Sequence, residues 1–252
     1  MYGRLFCQLY DEFGWNEYPR TFCGQLMTWL DAHDATVRRA LDLGCGTGVL
    51  CQALASHGIE AEGVDLSPEM IDIARHRALN LRFTAADMVT WRPDSRFDLV
   101  TSTGDAVNHI FDLNDVSRIF QNVHGALNDG GFFIFDALNA AEVPSGEPFE
   151  ADTADGRRVR FHSVIGEDRV VRLTVEVYDH DVLACRETIL EKLHDMSALL
   201  DALRRAGLQV LQCDSRLNPE SLPSDTWFIV AQKPAGAPQS PPASPAHLVG
   251  AP

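Results

Sequence analysis

The sequence predicts an α/β protein: a doubly wound, mostly parallel seven-stranded sheet with an antiparallel β insert before the last helix. Three observations predict it. From Arg39 to Asp136 short apolar runs alternate with stretches of helical period, the pattern of βαβ units whose sheet is covered on both faces. The first of those runs ends in a glycine-rich turn, Asp42-Leu43-Gly44-Cys45-Gly46-Thr47-Gly48. Beyond Asp136 the period changes to two: Val171, Leu173, Val175 and Val177 alternate with Arg172, Thr174, Glu176 and Tyr178.

Taken in order, residues 1–36 form a helical cap. Phe6, Leu9, Tyr10 and Phe13 lie on one helical stripe, and Phe22, Leu26, Trp29 and Leu30 on another, with Gly14, Asn16 and Pro19 separating the two helices. Two readings of this segment stand side by side. It is a pair of packing helices, or Tyr2, Tyr10, Trp15 and Tyr18 make an aromatic lid over a pocket. Ala40–Leu43 is the first strand, and Val49–His57 a helix closed by Gly58. Ile59–Val64 is a second strand ending at Asp65. Ser67 then caps a helix that has Pro68 at its first position. Leu81–Ala85 and Phe97–Ser102 follow as strands. Asp112 caps a helix carrying Leu113, Val116, Ile119, Phe120, Val123 and Leu127 at helical spacing. Asn128-Asp129-Gly130-Gly131 turns the chain into a fifth strand, Phe132–Phe135. Residues 148–193 read as the antiparallel insert. Asp195 caps a last helix ended by Gly207, and Leu208–Cys213 and Thr226–Gln232 close the sheet. The core is thus 37–147 with 194–233. Residues 234–252, all Pro, Ala, Gly and Ser in character, lack the packing residues to fold and are expected to be disordered.

Composition narrows the partners. The 252 residues are 45% hydrophobic and 23% charged, with a formal net charge of −15, which repels phosphate backbones and anionic membranes. The basic pairs Arg38-Arg39, Arg157-Arg158 and Arg204-Arg205 form no stripe and read as solvated surface. Six scattered cysteines show neither a Cys-x-x-Cys pair nor a zinc spacing, no His/Asp/Glu grouping has metal-ligand spacing, and no run approaches a membrane span. The amino terminus lacks the apolar core of a signal peptide. These features lead us to expect a cytoplasmic protein with reduced thiols and no metal, nucleic-acid or membrane partner. They leave its oligomeric state open.

The glycine turn describes a nucleotide-type cofactor site, since glycines reach positive φ freely and the following helix offers free N–H groups. A dinucleotide fingerprint needs a third small residue that falls on Val49 or Cys51 here, so neither register completes it. The motif Asp42–Gly48 resembles instead the first motif of the class I S-adenosylmethionine-dependent methyltransferases. Asp65, at the end of the second strand, stands where that family binds the ribose hydroxyls; Ala86-Asp87-Met88 stands where it binds adenine. The resemblance covers Leu41 to Phe135 and, more loosely, the closing strands. It implies a Rossmann-like methyltransferase fold and S-adenosylmethionine as cofactor. The cofactor contacts it implies are Asp42, Gly44, Cys45, Gly46, Gly48, Asp65, Leu66, Asp87, Met88 and Ser102, with Asp42 and the backbone at Gly44 on the cofactor's amino-acid end.

Substrate chemistry belongs at the carboxyl ends of the strands, in the loop Thr101–His109. A helix starting near Gly104 would put Asp105, Asn108 and His109 on one face. His109 is read either as a general base or as a hydrogen-bonded structural histidine beside the pocket. His162 and His180, in the insert, are further candidates to face substrate. The layout resembles the small-molecule branch of the family, amine N-methyltransferases in particular. Their insert roofs the substrate pocket, and transfer goes by aligned in-line attack on the methyl group. The Asn-Pro-Pro-Tyr type motif of base-amino nucleic-acid methyltransferases is absent. The expectation is therefore methyl transfer to a small molecule, at N rather than O, with a non-catalytic cofactor-binding protein as the alternative.

Overall fold

The computed structural model describes residues 2–143, 145–153, 155–218 and 226–236. Its centre is a seven-stranded sheet in the order β10-β11-β5-β4-β1-β2-β3. The strands are β1 (Arg39–Leu43), β2 (Glu60–Asp65), β3 (Arg82–Ala85), β4 (Phe97–Ser102), β5 (Leu127–Leu138), β10 (Gln209–Asp214) and β11 (Thr226–Gln232). β1 to β5 pair in parallel, whereas β11 runs antiparallel to both β5 and β10. Strand alternation divides the core between the two faces. Leu41, Leu43, Phe133, Phe135 and Ile229 pack against Phe120, Val123, Leu199 and Leu203 of α5 (Leu113–Ala126) and α6 (Met196–Arg205). Ala40, Leu99, Ile134, Phe228 and Val230 face Leu26, Trp29, Leu54 and Ile71 of α2 (Glu17–Ala32), α3 (Val49–Ser56) and α4 (Pro68–Arg77).

The caps form as read. Ser67 Oγ accepts from Met70 N–H at 3.3 Å with Pro68 at the first helical position, and Asp112 and Asp195 cap α5 and α6. Residues 158–192 form a second, antiparallel sheet with β6 (Phe149–Asp152): β7 (Arg158–Ile165), β8 (Val170–Asp179) and β9 (Val182–Lys192). Its inward residues Val159, Phe161, Val175, Val177 and Ile189 close a third apolar cluster with Phe6 and Leu9 of α1 (Arg4–Leu9).

Three expectations are corrected. Pro19 does not separate the helices; it is the third residue of α2, where its missing N–H removes no intrahelical bond. The helix ends instead at Gly14, left-handed at φ +80°, after a 3-10 turn over Tyr10–Phe13. Residues 128–131 do not precede β5 but lie within it as a bulge, because Gly130 N–H donates to Lys233 O (2.8 Å) and Lys233 N–H to Gly131 O (2.9 Å). The segment after Gly104 is a 3-10 turn, Ala106–His109, entered through Gly104 and Asp105 at φ +71° and +59°, not an α-helix. Of the tail expected from Pro234 on, residues 237–252 lie outside the described residues.

Candidate active site

The carboxyl ends of β1, β2 and β4 open into a cleft of about 410 Å³, covered by the amino-terminal segment and by β9. The glycine turn forms its floor for steric reasons that differ from residue to residue. A Cβ on Gly44 would meet Ala106 Cβ at 2.7 Å, so this glycine admits the 3-10 turn. One on Gly48 would strike Ala74 and Phe83 at 2.9 Å, so that glycine serves helix packing. Only Gly46 faces open space: it is held at φ +51°, lines the cleft, and has nothing within 4 Å of where its Cβ would stand.

Asp65 fastens the turn, its Oδ2 accepting from Gly46 N–H and its Oδ1 from Ser67 N–H, each at 2.8 Å. Burial pushes its carboxyl up despite these bonds. Asp42 lies deeper, 3% exposed and outside the cleft wall. Its Oδ1 accepts from Thr101 Oγ1 (2.8 Å), and burial raises its pKa to about 7. Leu66, 58% exposed, borders the cleft with Asp87 and Met88. Cys45 turns into the apolar core, and Ser102 is buried with its hydroxyl on Leu43 O (2.9 Å); neither lines the cleft.

On the opposite side, Tyr2, Tyr10 and His109 line the wall. The Tyr2 hydroxyl lies 3.3 Å from His109 Nε2. Burial outweighs the Leu190 carbonyl and lowers the His109 pKa, so the ring is neutral near pH 7. Trp15 packs edge-on against Tyr10 and Phe13, and Tyr18 donates to Asp136, so these two aromatics brace the cap from outside the cleft wall. Because the turn is 3-10 and not α-helical, Asp105 and Asn108 do not share a cleft-facing side with His109. Asn108 is fully buried, donating to Lys192 O (2.8 Å) and accepting from Leu138 N–H (3.1 Å). Asp105 sits at the entry to the turn, its N–H on Asp136 Oδ1 (2.9 Å). Nor do the insert histidines reach the cleft. His162 is on the solvent side of β7, and the His180 side chain, 97% exposed at the β8–β9 turn, pairs with Asp179.

Several groups in and behind the cleft wall went unread in the sequence. Glu187 lines the wall and accepts from Gly3 N–H (2.8 Å). Glu191, two pleats further along β9, is pushed up to about 7 by burial and by Asp136. Asp136 takes the Gly104 and Asp105 N–H groups (3.0 and 2.9 Å) and the Tyr18 hydroxyl, which fixes the loop carrying His109. Period-two spacing along 187, 189 and 191 was the available signal for the β9 pair. The charged side chains in the cleft wall, Asp65, Asp87 and Glu187, are all acidic; among the described residues no Lys or Arg lines it.

A family model described as "Methyltransferase domain" matches residues 40–131. Among curated proteins the chain is 29% identical over 227 residues to "Putative methyltransferase YqeM" of Bacillus subtilis (strain 168), covering 83% of this chain and 90% of that protein. It is 34% identical over 107 residues to the ubiquinone biosynthesis O-methyltransferase of Coxiella burnetii (strain Dugway 5J108-111), spanning 44% of that relative's length and 40% of its own. Among solved structures, Streptomyces venezuelae DesVI superposes with a TM-score of 0.78 at 22% identity, over 90% of this chain and 98% of that one. SAM-bound CalS10, an amino pentose methyltransferase from Micromonospora echinaspora, gives 0.72 at 23%, over 92% and 98%. Glycine turn, sheet order and these likenesses agree on an S-adenosylmethionine-dependent methyltransferase: residues 40–131 match the methyltransferase domain, and the seven-stranded sheet has the fold of the solved methyltransferases.

Proposed function

We propose that this enzyme methylates an amino nitrogen of a small molecule. The observation that carries the reading is the charge of the cleft: beyond Asp65 and Asp87 on the cofactor side the wall adds Glu187, and among the described residues no Lys or Arg lines it. An amine is at home there; a phosphorylated or carboxylate-rich acceptor is not. The amino pentose methyltransferase among the structural neighbours has the same fold and supports the reading by analogy.

Bound S-adenosylmethionine supplies an electrophilic methyl group on a sulfonium. The residues fit it. Gly46 leaves open room above the turn, Asp65 keeps lone pairs for a ribose diol beyond its two backbone bonds, and Leu66 and Met88 flank an apolar slot beside Asp87. Asp42, behind the cleft wall with its Oδ1 on Thr101, sets a carboxyl beneath the turn toward which the ligand's ammonium end would lie. On the acceptor side, Tyr2 and His109 orient the nucleophile, and the neutral ring can accept a proton. Glu191 stands behind them as a carboxylate poised near neutrality. The insert, residues 148–193, roofs this half through β9, while Trp15, Tyr18, Asp105 and Asn108 hold the walls in place. We place the enzyme in the cytoplasm, with the six cysteines, all free thiols, in support.

A second reading, O-methylation, draws on the Tyr2–His109 pair, because a hydroxyl acceptor needs a base, and on the ubiquinone O-methyltransferase relative. A panel of small primary and secondary amines, phenols and alcohols separates the two when S-adenosylhomocysteine formation is followed for each. Turnover confined to amines, with a product heavier by one methyl group, is expected. Turnover confined to phenols or alcohols would overturn the nitrogen assignment.

A further inference from the structure

Asp11 lies on the 3-10 turn after α1, far in sequence from the glycine turn, yet its carboxylate joins three elements. Its Oδ1 accepts from Thr47 Oγ1 at 2.9 Å, and its Oδ2 accepts from the Arg77 guanidinium at the end of α4. Arg77 Nε in turn donates to Thr47 O at 2.9 Å, so hydroxyl, carbonyl, guanidinium and carboxylate close a ring around one residue of the turn. The ring is sheltered: the Arg77 and Asp11 side chains are 17% and 25% exposed, and Thr47 is 3% exposed. Such a pair is screened less than one at the surface. The segment it fastens carries Tyr2 and Tyr10 over the cleft, opposite Gly44, Gly46 and Asp65. Its other polar ties are lighter: Gly3 N–H on Glu187 Oε1 (2.8 Å), the Tyr2 hydroxyl at 3.3 Å from His109 Nε2, and Cys7 Sγ at 4.0 Å from Ser67 Oγ.

We propose that Asp11 is a positioning residue for the cofactor, clamping the amino-terminal segment to Thr47 and Arg77 so that the segment stays closed over a ligand on the glycine turn. Asp11 acts through Thr47 and has no need to touch the ligand. Its effect therefore falls on the rate at which ligand escapes past the segment. The inference rests on the family's cofactor and not on the choice of acceptor.

The test measures S-adenosylhomocysteine on the full chain, with dissociation by stopped-flow displacement and affinity by calorimetry. Asp11→Asn is expected to raise the dissociation rate about tenfold, the scale of one weakened charge-assisted hydrogen bond. Thr47→Val, which removes a single hydrogen bond, is expected to raise it about threefold, and Asp11→Glu to recover part of the loss. Arg4→Ala, on the exposed side of α1, serves as the unaffected control. Dissociation rates within about twofold of wild type in both Asp11→Asn and Thr47→Val would overturn the proposal, whatever happens to the melting temperature. Should Asp11→Asn fail to fold, Thr47→Val decides alone. Because no acceptor takes part, a failed amine reading leaves these rates untouched.

Discussion

Asp42 and Glu191 are carboxyls that burial holds near pH 7, some three units above an ordinary Asp and well above an ordinary Glu. Between about pH 4 and pH 7 the folded protein therefore keeps protons that the unfolded chain has released, and the ligand-free fold loses stability as pH rises through that window. A ligand ammonium beside Asp42 reverses the preference by favouring the ionised form. Binding should then expel a proton. Calorimetry of S-adenosylhomocysteine at pH 7 is expected to give different heats in phosphate and in Tris, equivalent to release of about half a proton, with affinity weakening as pH falls below 7. Asp42→Asn keeps the acceptor for Thr101 and should abolish most of the difference. Equal heats in the two buffers for the wild type would sever Asp42 from the ligand. In the sequence, Asp42, Asp65 and Asp87 could be singled out because each stands at or just beyond the end of a strand. Glu187, Asp11 and Asp136 could not be, because the groups that define them lie on elements remote in sequence: Gly3, Thr47 and Arg77, and the Gly104 loop.

At the scale of elements, period and caps were readable where a segment decides its own conformation. The α5 stripe, the Ser67, Asp112 and Asp195 caps and the β8 alternation all obey local rules. Reading failed where tertiary bonds overrule local preference. The bulge at 128–131 exists because Lys233 bonds to it, and the turn after Gly104 is 3-10 because Asp136 seizes the two preceding N–H groups. Asn108 exposes the same dependence. Its amide is the buried staple between the end of β9 and the end of β5, holding the His109 turn against both. Asn108→Ala would strand the Lys192 carbonyl and the Leu138 N–H, at a cost of about 2–3 kcal/mol. Thermal unfolding should report a drop of roughly 5–10 °C. An Asn108→Ala protein that melts with the wild type would mean water replaces the amide without loss, and that the turn is held by Asp136 alone.

For the molecule as a whole, the two sheets depend on different cores. The seven-stranded sheet is packed on both faces by helices, so its stability is independent of what covers the cleft. The roof instead shares its one apolar face with the amino-terminal segment, and Phe6 is the centre of that contact. Fully buried, it meets the rings of Tyr2, Tyr10, Phe13 and Trp15 while packing with Val159, Phe161, Val175, Val177 and Ile189. Replacing it by alanine removes a buried ring at a local cost of about 3–5 kcal/mol. That loss should be confined to the cap and roof, because none of these partners belongs to β1, β4 or β5. Native-state hydrogen exchange on Phe6→Ala is expected to show lost protection in residues 2–13 and 158–192, with β1, β4 and β5 protected as before. S-adenosylhomocysteine should bind more weakly, since Tyr2 and Tyr10 leave their places with the segment. Protection lost evenly across both sheets would mean instead that roof and core unfold as one unit, and that the cover cannot open while the sheet beneath it stays folded.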